Sequence, residues 1–136
     1  MRQKLARRGY EEEEIGTALA RLIDMGYMDD AAFARGLVRS RSATRGSLAL
    51  SAELAAKGID RQGTAEALSE LDAESQLTSA TRLAQRMCPP GEEIGYREIL
   101  DRVGVKLQRR GFPAGIARAA CRAVLAERQG SRAPKI

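Results

Sequence analysis

The chain has 136 residues, of which 43% are hydrophobic and only 4% aromatic, and its net charge is +5 at pH 7. The apolar residues are mostly alanine and leucine, which favour closely packed helices and argue against a β-sandwich. Two cysteines without any histidine argue against a disulfide framework, a zinc site and histidine-based catalysis. No apolar run approaches the roughly 20 residues of a membrane span, and no signal peptide is recognisable. We therefore expect a cytoplasmic, non-enzymatic protein with no metal, cofactor or membrane partner.

In chain order, the strongest signal is a six-residue string that occurs three times. The copies are Leu5-Ala-Arg-Arg-Gly9-Tyr10, Leu54-Ala-Ala-Lys-Gly58-Ile59 and Leu107-Gln-Arg-Arg-Gly111-Phe112. Glycine at this position commonly ends a helix in the left-handed conformation, and the apolar residue after it packs on the leucine of the same string. We predict that Gly9, Gly58 and Gly111 are structural residues at three tight corners between helices.

Each corner is followed by apolar residues at helical spacing, which predicts a helix with one buried face. The patterns together predict eight helices, over 2–8, 12–25, 30–41, 46–57, 61–71, 73–87, 94–110 and 113–128. We group them into three-helix repeats at 1–44, with a short first helix, and 45–88, a partial third repeat at 92–128 and a disordered tail at 129–136. The predicted fold is all-α, an elongated and curved stack of tandem repeats.

Two neighbouring carboxylates, Asp29 and Asp30, precede the apolar face of the third predicted helix. A pair of acids suggests a metal site or acid–base chemistry, but no third carboxylate is fixed nearby by spacing. We interpret them as structural, one as the N-cap and the other as its neighbour at the positive end of the helix dipole. Asp60 and Asp72 are predicted to begin later helices in the same way.

Basic residues are segregated along the chain. Two stretches contain no acid and carry the candidate binding residues Arg35, Arg39, Arg41, Arg45, Arg102, Lys106, Arg109 and Arg110. Arginine is also common on the surface of alanine-rich helices, so a solvated face is an equal alternative. The absence of acids within these stretches predicts positive potential that is isolated rather than paired, and such a surface suits phosphate or an acidic protein.

The corners resemble those of the RecX family, together with Gly26-Tyr27-Met28-Asp29-Asp30-Ala-Ala-Phe33-Ala34 and Arg45-Gly46-Ser-Leu48. The similarity covers about Leu5 to Leu125. It implies a three-helix repeat fold that binds within the groove of a RecA filament on single-stranded DNA. It also implies inhibition of recombinase and co-protease activity, and hence a role in DNA repair, recombination and the SOS response. The family motifs are structural, so the resemblance implies no catalytic residues.

Other functions remain open from the sequence. A helix–glycine–helix corner also describes a helix-turn-helix, which predicts a DNA-binding module. The polar residues on the second helix of each corner differ between copies and are acidic, Glu66 and Glu70, in the second copy, which disfavours base reading. A helical scaffold for another partner is the third candidate. We expect a monomer that contacts RecA and, through the basic residues, the DNA phosphates.

Overall fold

The computed structural model describes residues 29–88 and 93–132, and these contain helices and no strand. Helix α1 covers 29–41. It is followed by α2 (Ser47–Ala56), α3 (Arg61–Leu68), α4 (Ala73–Met87), α5 (Tyr96–Ile99), α6 (Val105–Arg109) and α7 (Ala114–Arg132). A π-helical segment, Leu100–Gly104, joins α5 to α6 without a break. The all-α prediction is confirmed, whereas Gly9 and the predicted helices 2–8 and 12–25 lie outside the described residues.

Two of the three predicted corners fall within the described chain, and both have the predicted geometry. Gly58 and Gly111 have φ angles of 87° and 96°. The amide of Ile59 donates to the carbonyl of Leu54 at 3.0 Å, and that of Phe112 donates to Leu107 at 3.2 Å. Glycine is needed at both places because a side chain is strained at positive φ. The amides of Gly58 and Gly111 also donate to the carbonyls of Ala55 and Gln108, so each corner has the paired hydrogen bonds of the Schellman motif.

The buried side chains divide the described helices into two three-helix units, whose bounds differ from those of the predicted repeats. The central unit consists of α1, α2 and α3, and its core contains Ala34, Leu37, Val38, Leu50, Leu54, Ile59 and Ala67. The C-terminal unit consists of α4, the continuous α5–α6 helix and α7. The sequence predicts α1 and α4 at the ends of the repeats 1–44 and 45–88. Each instead opens the next unit, because its apolar face packs against the two helices that follow it.

The C-terminal unit has the larger core. Its buried residues include Ala80, Leu83, Ile99, Val103, Leu107, Phe112, Ala117, Ala120, Cys121 and Val124. Helices α4 and α7 form its most extensive contact, and alanines in both helices allow this close approach. The predicted apolar stripe of α7 is therefore confirmed.

Two helix ends differ from the predicted ones. Helix α3 ends at Leu68 and not at residue 71, because the amide and hydroxyl of Ser69 both donate to the carbonyl of Glu66, at 3.2 and 2.7 Å. Helix α7 continues to Arg132, so residues 129–132 are not part of a disordered tail as predicted. No proline or left-handed glycine interrupts the helix there, and helix formation continues at low cost once it has begun.

The capping predictions have mixed outcomes. Asp60 and Asp72 each precede a helix, and their carboxylates accept from the amides of Gly63 and Ser75 at 2.7 and 2.8 Å. Asp29 and Asp30 are both exposed and already helical, so neither is the N-cap of α1 as predicted. A capping residue in a sequence marks a preference, and helix ends shift by one or two residues around it.

The cap at α4 makes stability depend on pH. The backbone amide of Ser75, followed by its side chain, lowers the pKa of Asp72 from the ordinary value of 3.8. Because the pKa is lowered in the folded state, the charged Asp72 carboxylate stabilises the fold above pH 3.8. This stabilisation is lost as the pH falls through the folded-state pKa. We expect Asp72→Asn, which retains a capping oxygen without the charge, to be less stable than the parent at pH 7. The difference should shrink in urea unfolding measured below pH 3.8. An equal difference at both pH values would contradict this assignment.

Candidate partner-binding surface

The two units meet where α2 begins. We call this contact the joint and define it by Gly46–Leu48, Gln76 and Arg110–Phe112. The N-cap residue of α2 is Gly46, which has no side chain to cap the helix. The three amides at this end donate instead to the C-terminal unit. Gly46 donates to the carbonyl of Arg110 at 2.9 Å and Leu48 donates to that of Gly111 at 3.0 Å. Ser47 donates to Oε1 of Gln76 at 2.9 Å.

The backbones at the joint approach closely because two glycines face each other there. A Cβ placed on Gly46 would lie 2.4 Å from the backbone of Phe112, and one on Gly111 would lie 2.2 Å from Cβ of Ala49. Gly58, at the matching corner of the central unit, has no atom within 4 Å of such a Cβ. Gly111 therefore serves both the corner and the contact between units, whereas Gly58 serves the corner alone.

Arginines from both units surround the joint. Arg110 donates from Nη1 to the carbonyl of Thr44 at 3.3 Å, next to Arg45 in the chain. Arg41 and Arg45 both form ion pairs with Glu53 of α2, and the Arg45–Glu53 distance is 3.2 Å. The Glu53 side chain is only 16% exposed. The prediction of isolated positive potential is thus wrong for Arg41 and Arg45. The acid that pairs with them lies outside their stretch of sequence, and folding brings it to them.

Three more of the predicted residues lie on the α5–α6 helix and its π-helical segment. Arg102, Lys106 and Arg109 are all exposed. Arg102 pairs with Glu98, one turn earlier, at 3.3 Å. Within the described chain, no ion pair involves Lys106 or Arg109. Lys106 and Arg110 are four residues apart, so they share a helix face that leads to the joint.

The remaining two predicted residues, Arg35 and Arg39, lie on α1. They line a shallow groove of about 160 Å³ together with Val38, Ala67, Glu70, Leu71 and other side chains. Arg39 is 3.8 Å from Glu70, and both side chains are highly exposed, so this pair is weak. No described residue forms an ion pair with Arg35. The predicted residues thus form a paired group at the joint and two groups that include cations without an ion pair to any described residue.

Two residues that matter here had no signal in the sequence. Glu53 was not distinguished from other exposed helical acids, although it holds two of the predicted arginines. Gln76 was missed because a glutamine within a helix resembles an exposed residue, yet it is only 7% exposed and caps a helix of the other unit. Neither interaction follows a local spacing rule.

The described residues contain no candidate metal centre. Over 29–88 and 93–132 there is no group of three histidine, cysteine or acidic residues that could hold a metal ion. Cys88 and Cys121 are free and buried. Burial, followed by the nearby Cys88, raises the pKa of Cys121, which keeps it as an unreactive thiol. Among the described helices, none is long and apolar enough to cross a membrane.

These observations define a small all-α protein of three-helix units whose exposed cations flank the contact between two units. A family model described as "RecX, second three-helix domain" matches residues 29–68, which is the central unit. The chain belongs to the RecX family. It is 37% identical over 119 residues to "Regulatory protein RecX" of Amycolatopsis mediterranei, covering 86% of this chain and 68% of that protein.

Other relatives agree with this assignment. The protein of the same name in Thermus thermophilus is 36% identical over 130 residues, covering 96% of this chain and 83% of that protein. A Mycobacterium relative of the same name is 35% identical over 123 residues, covering 84% of this chain and 66% of that protein. The crystal structure of RecX from Lactobacillus salivarius has the same fold, with a TM-score of 0.70 over 90% of this chain and 81% of that one at 23% identity.

Proposed function

We propose that this chain is a negative regulator of the RecA recombinase that binds in the groove of the RecA–single-stranded DNA filament and inhibits recombinase and co-protease activity. The observation that carries the proposal is the similarity to regulatory RecX proteins over most of the chain. Because the named relatives are regulators, we also propose that the chain is a cytoplasmic, non-enzymatic monomer.

The exposed cations support a contact with an acidic partner. Arg35, Lys106 and Arg109 form no ion pair with any described residue, and we propose that their charges contact DNA phosphates or acidic side chains of RecA. Arginine and lysine at phosphates give affinity without reading bases, and their contribution falls with rising salt. Contacts of this kind suit binding to a filament on DNA of any sequence.

The test of the proposed function is the ATPase activity of RecA on single-stranded DNA. We expect the purified chain to lower the steady-state rate at concentrations below that of RecA, because one bound molecule blocks a filament of many subunits. An unchanged rate at equimolar concentration would overturn the proposal. Tight, sequence-dependent binding to duplex DNA without RecA would instead support the helix-turn-helix alternative.

The role of these three cations is tested by the triple variant Arg35→Glu, Lys106→Glu and Arg109→Glu. We expect the concentration for half-inhibition to rise about tenfold, since three surface contacts of roughly 0.5 kcal/mol each sum to about 1.5 kcal/mol, and a tenfold change corresponds to roughly 1.4 kcal/mol. The rise should be smaller at high salt, where the parent also binds weakly.

The matched control reverses three exposed cations elsewhere, Arg61, Arg82 and Arg86, and changes the net charge by the same amount. We expect it to inhibit nearly as well as the parent. Equal losses in the two triple variants would mean that net charge, and not this surface, determines binding.

A further inference from the structure

The first turn of α2 has no side-chain cap of its own, because its N-cap residue is Gly46. The first amides of a helix lack partners within the helix and normally bond to a capping side chain or to water. Here the amides of Gly46, Ser47 and Leu48 all donate to the C-terminal unit. The beginning of a helix in one unit therefore depends on the presence and the orientation of the other.

Of the three acceptors, only the one on Gln76 is a side chain. Arg110 and Gly111 accept through backbone carbonyls at the end of α6, whereas Gln76 reaches across from α4 with its carboxamide oxygen. The two carbonyls and the carboxamide thus lie on different helices of the C-terminal unit. Together they restrain α2 from two sides, which opposes rotation of one unit against the other.

The same contact determines how the cations of the two units are arranged. Arg110 donates to Thr44, and this places the end of the α6 face beside the chain that carries Arg41 and Arg45. If the units rotated freely, Arg35 on one unit and Lys106 and Arg109 on the other would have no constant separation. Contacts held at a constant separation reinforce one another through a high effective concentration, and flexibly linked contacts do so much less.

We propose that Gln76 is a positioning residue for partner binding: by capping α2 across the joint, it holds the two units in the orientation in which their cations bind one partner together. This inference rests on the proposed function for the identity of the partner. Gln76 itself is buried, so we expect its effect to come from the orientation of the units and not from a direct contact with the partner.

The bond can be removed from either side. Gln76→Leu removes the acceptor at similar size, and Gln76→Glu is the conservative variant that retains it. Ser47→Pro removes the donor, and it is compatible with the helix because proline suits the first helical position and Gly46 before it has the extended ψ of 172°. Ser47→Ala retains the amide and is the matched control for the proline variant.

Orientation is measured as the distance distribution between spin labels on Arg61→Cys and Arg118→Cys, two exposed positions in different units. The native cysteines are buried and should not react. We expect a narrow distribution in the parent, Gln76→Glu and Ser47→Ala, and a broad one in Gln76→Leu and Ser47→Pro. Hydrogen exchange at the Ser47 amide should accelerate about tenfold in Gln76→Leu.

Inhibition of the RecA ATPase provides the functional readout. We expect about a tenfold rise in the half-inhibitory concentration for Gln76→Leu and for Ser47→Pro, with no further rise in the double variant, because both remove the same bond. A narrow distribution in folded Gln76→Leu and Ser47→Pro would overturn the proposal. So would unchanged inhibition by variants with broad distributions. The label and exchange measurements need no RecA, so they distinguish failure of the joint from failure of the proposed function.

Discussion

Replacing Gly111 with alanine is expected to lower the free energy of unfolding by on the order of 4 kcal/mol. Two costs combine at this residue. Its φ of 96° lies in the left-handed region, where a Cβ costs roughly 1–2 kcal/mol. The added Cβ would also lie 2.2 Å from Cβ of Ala49, so α2 would have to move away and lose its bonds to Arg110 and Gly111.

Gly58→Ala is the matched control, because Gly58 has a similar φ of 87° but open space around the position of a Cβ. We expect the free energy of unfolding of this variant to fall only by the cost of a side chain at positive φ, about 1–2 kcal/mol. Urea unfolding of both variants measures the difference, which is the contribution of the close approach at the joint. Equal destabilisation by the two substitutions would show that the joint tolerates a side chain and that its packing is looser than the structure indicates.

Phe112→Ala is expected to destabilise the chain by about 3–5 kcal/mol, the usual range for truncating a buried phenylalanine. Phe112 is 1% exposed and belongs to the core of the C-terminal unit. Its backbone also lies against Gly46, so a collapse of the cavity would displace the joint. The variant should therefore unfold in one cooperative transition at a lower urea concentration than the parent, observed both by circular dichroism and by the distance between the spin labels.

The chain's other phenylalanine provides the control for this substitution. Phe33 on α1 is 48% exposed, and we expect Phe33→Ala to cost less than about 1 kcal/mol. If the two alanine variants unfolded at the same urea concentration, Phe112 could not be the central core residue that its burial indicates.

The corners could be predicted from the sequence because every group that forms them lies within six positions. Leu54, Gly58 and Ile59 provide the carbonyl, the left-handed residue and the apolar contact of one cap. The N-caps at Asp60 and Asp72 are equally local. Helical spacing also identified which face of α7 is buried, because the period of a helix relates sequence position directly to direction.

The candidate surface was harder to predict. The sequence located the basic stretches, but the absence of acids within a stretch does not describe which acids approach it in the fold. Glu53 pairs with Arg41 and Arg45 from twelve and eight positions away along the chain. Arg110 reaches Thr44 across 66 positions. Such pairings depend on how helices pack, and helix packing is not encoded in charge spacing.

By itself the sequence determined the all-α class, the corners at Gly58 and Gly111 and the apolar face of α7, since the energies of caps, turns and helical periodicity arise among residues within one or two turns. Only the tertiary structure decided that α1 and α4 open their units, that Gln76 caps α2 and that Gly111 lies directly against Ala49. An apolar stripe specifies that a helix is buried but not against which neighbour. That choice depends on contacts between residues distant in sequence, as in the 29 positions that separate Ser47 from Gln76.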